Sequence, residues 1–238
     1  MENNFQIKKT EDYKEVFHRC SKCGLCQKEC PVFIKTKNEK YLARGIIIML
    51  RSVLDKKLKL KSVSKLTDNC IACTKCKNIC PSEINMSEIS ICIKKECLDN
   101  APIKKFFICF LQSDFVLGNL LKIANLIRNM FIKKSKKFDK KVVFFAGCKT
   151  PVSKINKLTK KYNSENTEVI YVNSICCGLP YLKSGNINQF VKTAKQNMNK
   201  IKDFDKIHFT CEKCLNVFNL YREFLSDNSS KEFILEDS

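Results

Sequence analysis

One cysteine pattern occurs twice in the first part of the chain. Residues 20–31 and 70–81 both follow C-x2-C-x2-C-x3-C-P. Three thiolates at intervals of three residues let a short loop surround three irons of one cube. The fourth cysteine, held off the helix by the proline after it, points elsewhere. The spacing therefore predicts two cubane [4Fe-4S] clusters.

Each predicted cluster needs cysteines from both repeats, because in this spacing the fourth cysteine binds the cluster of the other repeat. We expect one cubane on Cys20, Cys23, Cys26 and Cys80. The second is expected on Cys70, Cys73, Cys76 and Cys30. Neither repeat fills a site alone.

Two other uses of cysteine fit the sequence less well. Zinc ribbons pair two C-x2-C units across a longer loop and do not place three cysteines within seven residues. A disulfide framework needs an oxidising compartment, but residues 1–15 are polar and charged, without an apolar signal core. We therefore interpret most of the 16 cysteines as metal ligands and expect a cytoplasmic protein.

Length and charge limit the number of domains and the kinds of partner that the chain can have. The 238 residues, 44% of them hydrophobic, suffice for two modest globular domains. The formal charge of +20 could attract nucleic acid, anionic lipid or an acidic partner, or could reflect a residue bias of the genome. No apolar run approaches the roughly 18 residues of a membrane-spanning helix.

Apolar spacing predicts helices around the two repeats. One is expected over residues 42–58 and another over 86–97. Cys92, Cys97 and Cys109 lie in apolar surroundings outside any ligand spacing, so we expect them to be buried small hydrophobic residues.

A basic amphipathic stretch follows the second repeat. Apolar residues recur at helical spacing over 115–131, and residues 103–141 hold ten Lys or Arg against two Asp. This stretch is either a core helix that joins two domains or a docking surface for a partner or the inner face of the membrane. Residues 133–141 resemble a linker.

Strands and helices alternate from residue 142 onward. Short strands are predicted at 142–146, 168–172 and 206–210, with helices at 152–162, 187–201 and 215–225. The pattern predicts a small α/β unit with a parallel sheet. Cysteines follow all three strands, at Cys148, at Cys176 and Cys177, and at Cys211 and Cys214. The carboxyl ends of parallel strands meet at one edge, so we expect these five thiols to converge.

The whole pattern resembles the iron–sulfur subunits that join a two-cubane domain to cysteine-rich CCG domains. These include the iron–sulfur subunits of anaerobic glycerol-3-phosphate dehydrogenase, glycolate oxidase and lactate utilisation systems, and the heterodisulfide reductases. The resemblance rests on the two cysteine repeats, Arg44-Gly45, the segment FFAGC at 144–148, and CCGLP at 176–180 with Gly185 following. It covers nearly the whole chain.

The resemblance implies a third centre, a noncubane [4Fe-4S] cluster on Cys148, Cys176, Cys177, Cys211 and Cys214. Another metal or cluster type, or free thiols, remain alternatives at these positions. Full-length relatives carry two CCG domains, whereas this sequence shows one. The second half is then a separate chain, a second copy of this chain, or absent from a reduced electron carrier.

These observations favour an electron-transfer subunit over an independent enzyme. The sequence has no G-x-G-x-x-G, no P-loop and no Ser-His-Asp arrangement, and its two histidines are His18, expected at the surface, and His208. Iron–sulfur centres pass single electrons, which fits a conduit from an FAD-linked dehydrogenase of the hydroxy acid or glycerol 3-phosphate type to a quinone or disulfide acceptor. The subunit would be non-catalytic or partly catalytic in an oxidoreductase complex.

Two other functions are compatible with the sequence. The net charge would allow a nucleic-acid-binding protein with structural clusters, although no stacking motif or recognition helix supports it. A disulfide reductase acting at the CCG centre would need substrate access to Cys176 and Cys177.

The expected fold class is α+β. A mainly helical dicluster ferredoxin-type domain is predicted at residues 1–100, a basic amphipathic helical linker at 101–141, and a small α/β CCG domain at 142–238.

Overall fold

The computed structural model describes residues 9–70, 73–113, 116, 119–132, 135–148, 150–172, 176–225 and 231–236. Their contacts divide the chain into two compact units. Residues 9–108 form one unit together with Pro180–Ile187. Cys109–Leu179 and Asn188–Ser238 make up the other.

The first unit is helical. Two short 3-10 helices cover Thr10–Tyr13 and Glu39–Tyr41. The α-helices that begin in this part of the chain are α1 (Lys14–Arg19), α2 (Cys26–Glu29), α3 (Pro31–Thr36), α4 (Ala43–Leu54), α5 (Leu60–Thr67), α6 (Lys75–Asn78), α7 (Met86–Asp99) and α8 (Pro102–Leu111). The core lies between α1, α4, α5 and α7, where apolar side chains from all four helices meet.

The two helices predicted around the repeats are confirmed as α4 and α7. Helix α4 ends at Leu54, so Leu58 lies beyond it, although its side chain still packs against the core. Cys92 is buried in this core and Cys97 is partly buried against it, as predicted. The prediction for Cys109 was wrong. Its side chain is exposed on α8, because none of the described residues covers the apolar side of that helix.

The second unit contains a four-stranded parallel sheet. Strands β1 (Lys140–Phe145), β2 (Thr167–Tyr171), β3 (Lys206–Phe209) and β4 (Glu232–Leu235) lie in the order β2-β1-β3-β4. Its helices are α9 (Asn119–Phe131), α10 (Val152–Ser164), α12 (Ile187–Lys200) and α13 (Glu212–Leu225). Helix α11 (Leu179–Ser184) lies almost entirely in the segment Pro180–Ile187, which belongs to the first unit. The structure thus confirms the α+β fold class and the short parallel sheet.

The sequence pattern found three of these four strands to within two residues at each end. Aromatic and β-branched residues mark β1 to β3, and their rings and side chains fill the core around Phe144, Phe145 and Phe209. Strand β4 was missed because its four residues begin with a charged Glu232 and lie at the sheet edge. The proposed linker is also shorter than expected, since β1 already begins at Lys140.

Helix α9 falls in the predicted amphipathic stretch, but those of its apolar side chains that the structure describes do not form a core. Leu120, Ile123, Ile127 and Met130 all have more than half of their surface exposed. Of the two alternatives for this stretch, the exposure fits a docking surface. The predicted positions Phe115 and Leu117 lie outside the described residues. Throughout the described residues, every helix is too short or too polar to cross a lipid bilayer.

Candidate metal centres

The eight cysteines of the two repeats line two cavities in the helical unit. One cavity is bordered by Cys20, Cys23, Cys26 and Cys80, together with Cys76. The other is bordered by Cys30, Cys70, Cys73 and Cys76. Each cavity thus contains all four members of one predicted ligand set, and each set combines both repeats.

Local backbone structure explains how the fourth cysteine leaves its own repeat. Cys30 ends α2 in an extended conformation, and Pro31 starts α3 directly after it. Proline suits the first position of a helix, because its missing N–H has no partner there in any case. The turn directs Cys30 to the cavity of the other repeat.

The start of α4 lies beside the first cavity. The backbone N–H of Arg44 donates a hydrogen bond to the Cys26 sulfur, and the Arg44 guanidinium lies near both Cys23 and Cys26. The same guanidinium donates to the Glu39 carboxylate and to the Lys22 carbonyl oxygen, at 2.5 and 3.2 Å. A helix N-terminus and a fixed cation stabilise negative charge, which is what a cluster with four thiolates carries.

Burial sets the electrostatics of the second cavity. The pKa of Cys76 is raised to about 12, mainly by desolvation and to a smaller extent by the neighbouring thiols Cys70, Cys73, Cys30 and Cys26. Desolvation likewise raises the pKa of Cys73. Buried thiols of this kind ionise only with a compensating cation, and a bound metal centre supplies one.

The donor set fits iron–sulfur clusters better than a single ion. In the described part of the chain, no three His, Cys, Asp or Glu side chains are grouped as ligands of one metal ion. A cube binds each thiolate to a different iron, so its ligands do not converge on a single point. Four thiols around each cavity are the donor chemistry that a cubane requires.

The five remaining candidate cysteines meet at the carboxyl edge of the sheet, as the strand pattern predicted. Cys148 follows β1, Cys176 and Cys177 follow β2, Cys211 follows β3, and Cys214 lies in the first turn of α13. Their side chains form a continuous series of contacts, in which Cys148 touches Cys176, Cys176 touches Cys177, Cys177 touches Cys214, and Cys214 touches Cys211.

These contacts lower the pKa of some of the thiols and raise the pKa of others. Hydrogen bonds from Cys176 and Cys214 lower the pKa of Cys177, and a hydrogen bond from Cys214 lowers that of Cys211 to about 5. The partners move the other way, because the hydrogen bonds with Cys177 and Cys211 raise the pKa of Cys214, and the one with Cys176 raises that of Cys148. Sulfurs within hydrogen-bonding distance of one another are close enough to be ligands of one metal centre.

Two cations and an unpaired donor border these thiols. The Arg128 guanidinium on α9 lies near Cys148 and donates to the Gly147 carbonyl oxygen at 3.4 Å, while its buried Nε has no hydrogen-bond partner in the described structure. Lys213 lies beside Cys211, and its charge is one of the causes of the lowered pKa of that thiol. Positive charge against several thiols fits an anionic cluster at this edge.

A buried polar network holds the backbone of the two adjacent cysteines. The Tyr221 hydroxyl donates to the Cys177 carbonyl oxygen at 2.6 Å. The Asn197 amide donates to the Cys176 carbonyl oxygen at 2.8 Å and to the Tyr221 hydroxyl at 3.0 Å. Helices α12 and α13 therefore fix the position of Cys176 and Cys177.

Gly147 allows the strand ends to approach each other. A Cβ atom at this position would lie 3.0 Å from the Cys214 sulfur and 3.0 Å from the Cys211 Cβ. The Gly147 N–H also donates to the Thr210 hydroxyl, which contacts the Thr150 hydroxyl at 2.7 Å.

Sequence reasoning missed the residues that support the five thiols. Arg128, Asn197 and Tyr221 are far from the cysteines along the chain, and no spacing links them to the strand ends. Thr210, directly before Cys211, and Lys213, directly before Cys214, are positions that adjacency could have indicated. His18 is exposed, as expected.

Comparison with known families agrees with this arrangement. Residues 16–84 match the family model of the 4Fe-4S dicluster domain. Residues 142–219 match that of the cysteine-rich CCG domain. The chain is therefore an iron–sulfur protein. It joins a 4Fe-4S dicluster domain to one CCG domain, as in the iron–sulfur subunits that the sequence resembles. No curated protein and no solved structure matches the chain.

Proposed function

We propose that this protein is an electron-transfer subunit with two cubane [4Fe-4S] clusters and a third, noncubane [4Fe-4S] cluster at the CCG thiols. The observation that carries the proposal is the position of Cys76, which lines both cavities of the dicluster domain. A shared wall would hold the two proposed clusters close together, and bound clusters would supply one-electron chemistry. The rest of the chain sets their spacing and their electrostatic surroundings.

The donor that best suits such a chain is an FAD-linked dehydrogenase subunit for a small hydroxy acid or glycerol 3-phosphate. This partner follows from the resemblance to iron–sulfur subunits of that kind. A flavin takes two electrons from its substrate and can release them one at a time to a chain of clusters. The acceptor would be a quinone or a disulfide.

The low exposure of two CCG thiols favours a quinone as the electron acceptor. Cys177 and Cys214 are only 5% and 3% exposed, and the Tyr221 network lies beneath Cys177. A substrate disulfide would need to reach a sulfur directly, whereas an electron can pass through a few ångströms of protein. Cys148 is exposed, whereas Cys176 and Cys211 are only partly exposed, so Cys148 is the position most open to a disulfide or to a second CCG-domain chain.

The apolar faces of α8 and α9 support attachment to an anionic membrane surface, where a quinone is found. On α8, Ile103, Phe106, Phe107, Phe110 and Leu111 recur at helical spacing, and each is more than half exposed. Lys104 and Lys105 lie on the same helix, and a run of lysines follows α9. Basic amphipathic helices of this kind lie in the plane of a bilayer surface, held by apolar burial and by attraction to anionic lipid.

Helix α9 also touches the CCG centre. Its exposed face carries Leu120, Ile123 and Ile127, while Arg128 reaches Gly147 and the surroundings of Cys148. The helix that would lie on the membrane is thus the helix that borders the third cluster. We therefore propose the CCG centre as the exit point for electrons to the quinone.

Iron content and EPR test the cluster assignment. Anaerobically purified protein should contain about 12 irons per chain. A Cys177→Ser variant should lose about four of them and one EPR signal, while Cys109→Ser, the control at an exposed cysteine outside every ligand set, should lose none. About eight irons in the unmodified protein, with spectra that Cys177→Ser leaves unchanged, would remove the CCG centre from the proposal.

Vesicle sedimentation tests the membrane surface. The protein should bind vesicles of phosphatidylglycerol and phosphatidylcholine but not phosphatidylcholine alone, and Phe106→Ser/Phe110→Ser should bind several-fold more weakly. Ile34→Ser, the control, alters another exposed apolar residue on α3 and should bind normally. Equal binding of vesicles by both variants contradicts the proposal. The proposal is also contradicted if the unmodified protein is a dimer and Phe106→Ser/Phe110→Ser dissociates it, because the apolar faces would then join two chains.

A further inference from the structure

A cavity of about 410 Å³ lies in the helical unit, apart from the two cysteine-lined cavities. Its walls come from α5, α7, the start of α8 and the segment Pro180–Ile187. Five lysines line it against one acidic residue, namely Lys61, Lys65, Lys94, Lys104 and Lys183 against Asp68. The size is within the usual range for small-molecule sites.

The most buried of these lysines is incompletely neutralised. Lys94 has only 6% of its side chain exposed, and its ammonium lies 3.6 Å from an Asp68 carboxylate oxygen that is itself mostly exposed. Lys183 donates to the Asp68 backbone carbonyl oxygen at 2.9 Å, which adds a second positive charge near the first. A buried ammonium beside a second cation is costly unless an anion offsets it.

The position of Lys183 is fixed by close backbone packing. Gly185 adopts a positive φ of 83°, and a Cβ atom there would lie 2.4 Å from the Lys94 carbonyl oxygen. The segment is closed by backbone hydrogen bonds from Gly185 to Leu182 and from Asn186 to Tyr181. Gly185 therefore brings Lys183 and Ser184 onto α7 as a wall of the cavity.

We propose that this cavity binds a small polyanion that carries phosphate or carboxylate groups. Lysine ammonium groups are strong donors to either oxyanion, and Ser64, Asn100 and Ser184 add neutral polar groups to the wall. The ligand also affects electron transfer, because the Lys94 ammonium interacts with the Cys70 sulfur. A bound anion offsets that positive charge and lowers the reduction potential of a cluster held by Cys70.

Calorimetric titration of the cluster-loaded protein at constant ionic strength tests the proposal, with inorganic phosphate and succinate as probes and iron content measured before and after. At least one probe should saturate at one per chain. Binding should weaken about tenfold in Lys65→Gln/Lys104→Gln, since two cation contacts of ordinary surface strength together amount to roughly that factor. Saturation by phosphate alone or by succinate alone identifies the class of anion.

The control is Lys14→Gln/Lys35→Gln, which removes the same charge from exposed positions on α1 and α3 outside the cavity. It should bind as the unmodified protein does. The proposal is overturned if neither probe saturates, if Lys65→Gln/Lys104→Gln binds normally, or if the control weakens equally.

Discussion

Replacing Gly45 by alanine should destabilise the dicluster domain, although alanine is the better helix former. Gly45 lies in the first turn of α4, where a Cβ atom would sit 2.1 Å from the Glu39 carbonyl oxygen. Normal contact would require the helix or that carbonyl to move by about 1 Å, and overpacking of this kind costs about 1–3 kcal/mol. The gain in helix propensity is only about 1 kcal/mol. Because the clash is with backbone, we expect the upper end of the cost and a net loss of about 2 kcal/mol.

Anaerobic urea unfolding measures the stability. EPR of the reduced protein reports on the cluster proposed at Cys20, Cys23, Cys26 and Cys80, beside the start of α4. The signal of that cluster should change, because Arg44 contacts Cys26 and its neighbour Gly45 would move. Ile48→Ala on the same helix is the control, since Ile48 is 41% exposed and its replacement should alter stability by about 0.5 kcal/mol or less. A Gly45→Ala protein as stable as the original, with the same spectrum, would refute the reasoning.

Three further outcomes are expected. Tyr221→Phe leaves the buried Cys177 carbonyl without its hydrogen-bond donor and should lower the free energy of unfolding in urea by about 1–3 kcal/mol. The control, Tyr162→Phe, loses a partly exposed hydrogen bond to Glu236 and should lower it by less. Equal losses of stability in the two variants would contradict the role of the buried network. Gly147→Ala pushes on the Cys214 sulfur and should remove about four irons but keep the dicluster EPR signals. Cys92→Ser buries a hydroxyl in the core and should lower the free energy of unfolding by about 1–3 kcal/mol, while the iron content per folded chain stays the same. A loss of iron in this variant would instead show that Cys92 is a cluster ligand.

The sequence predicted most of the fold wherever a short pattern determines local structure. Cysteine spacing and the following prolines brought the eight repeat cysteines into two sets, and β-branched runs identified β1 to β3 together with the thiols at their ends. Periodicity also found α4 and α7. These features depend on residues that are neighbours along one element.

What the sequence did not predict depends on contacts between distant elements. Arg128 and Tyr221 belong to helices whose apolar patterns do not indicate a contact with cysteines. They lie beside the thiols only through the tertiary fold. The exposure of Cys109 and of the α9 apolar residues was equally hidden, because periodicity identifies an apolar face but not whether anything covers it.

The pairing of β3 with β1 has a consequence for how the protein matures. Strands β1 and β2 pair over five residues, whereas β1 and β3 pair only at Phe144 with His208 and at Phe145 with Phe209. Cys211 and Cys214 reach the other thiols through this shorter ladder. A cluster bound across this edge would hold β3 in place, so metal loading and the final folding step would be one event. Iron starvation in the cell would then expose the protein to proteolysis through the C-terminal part of its sheet.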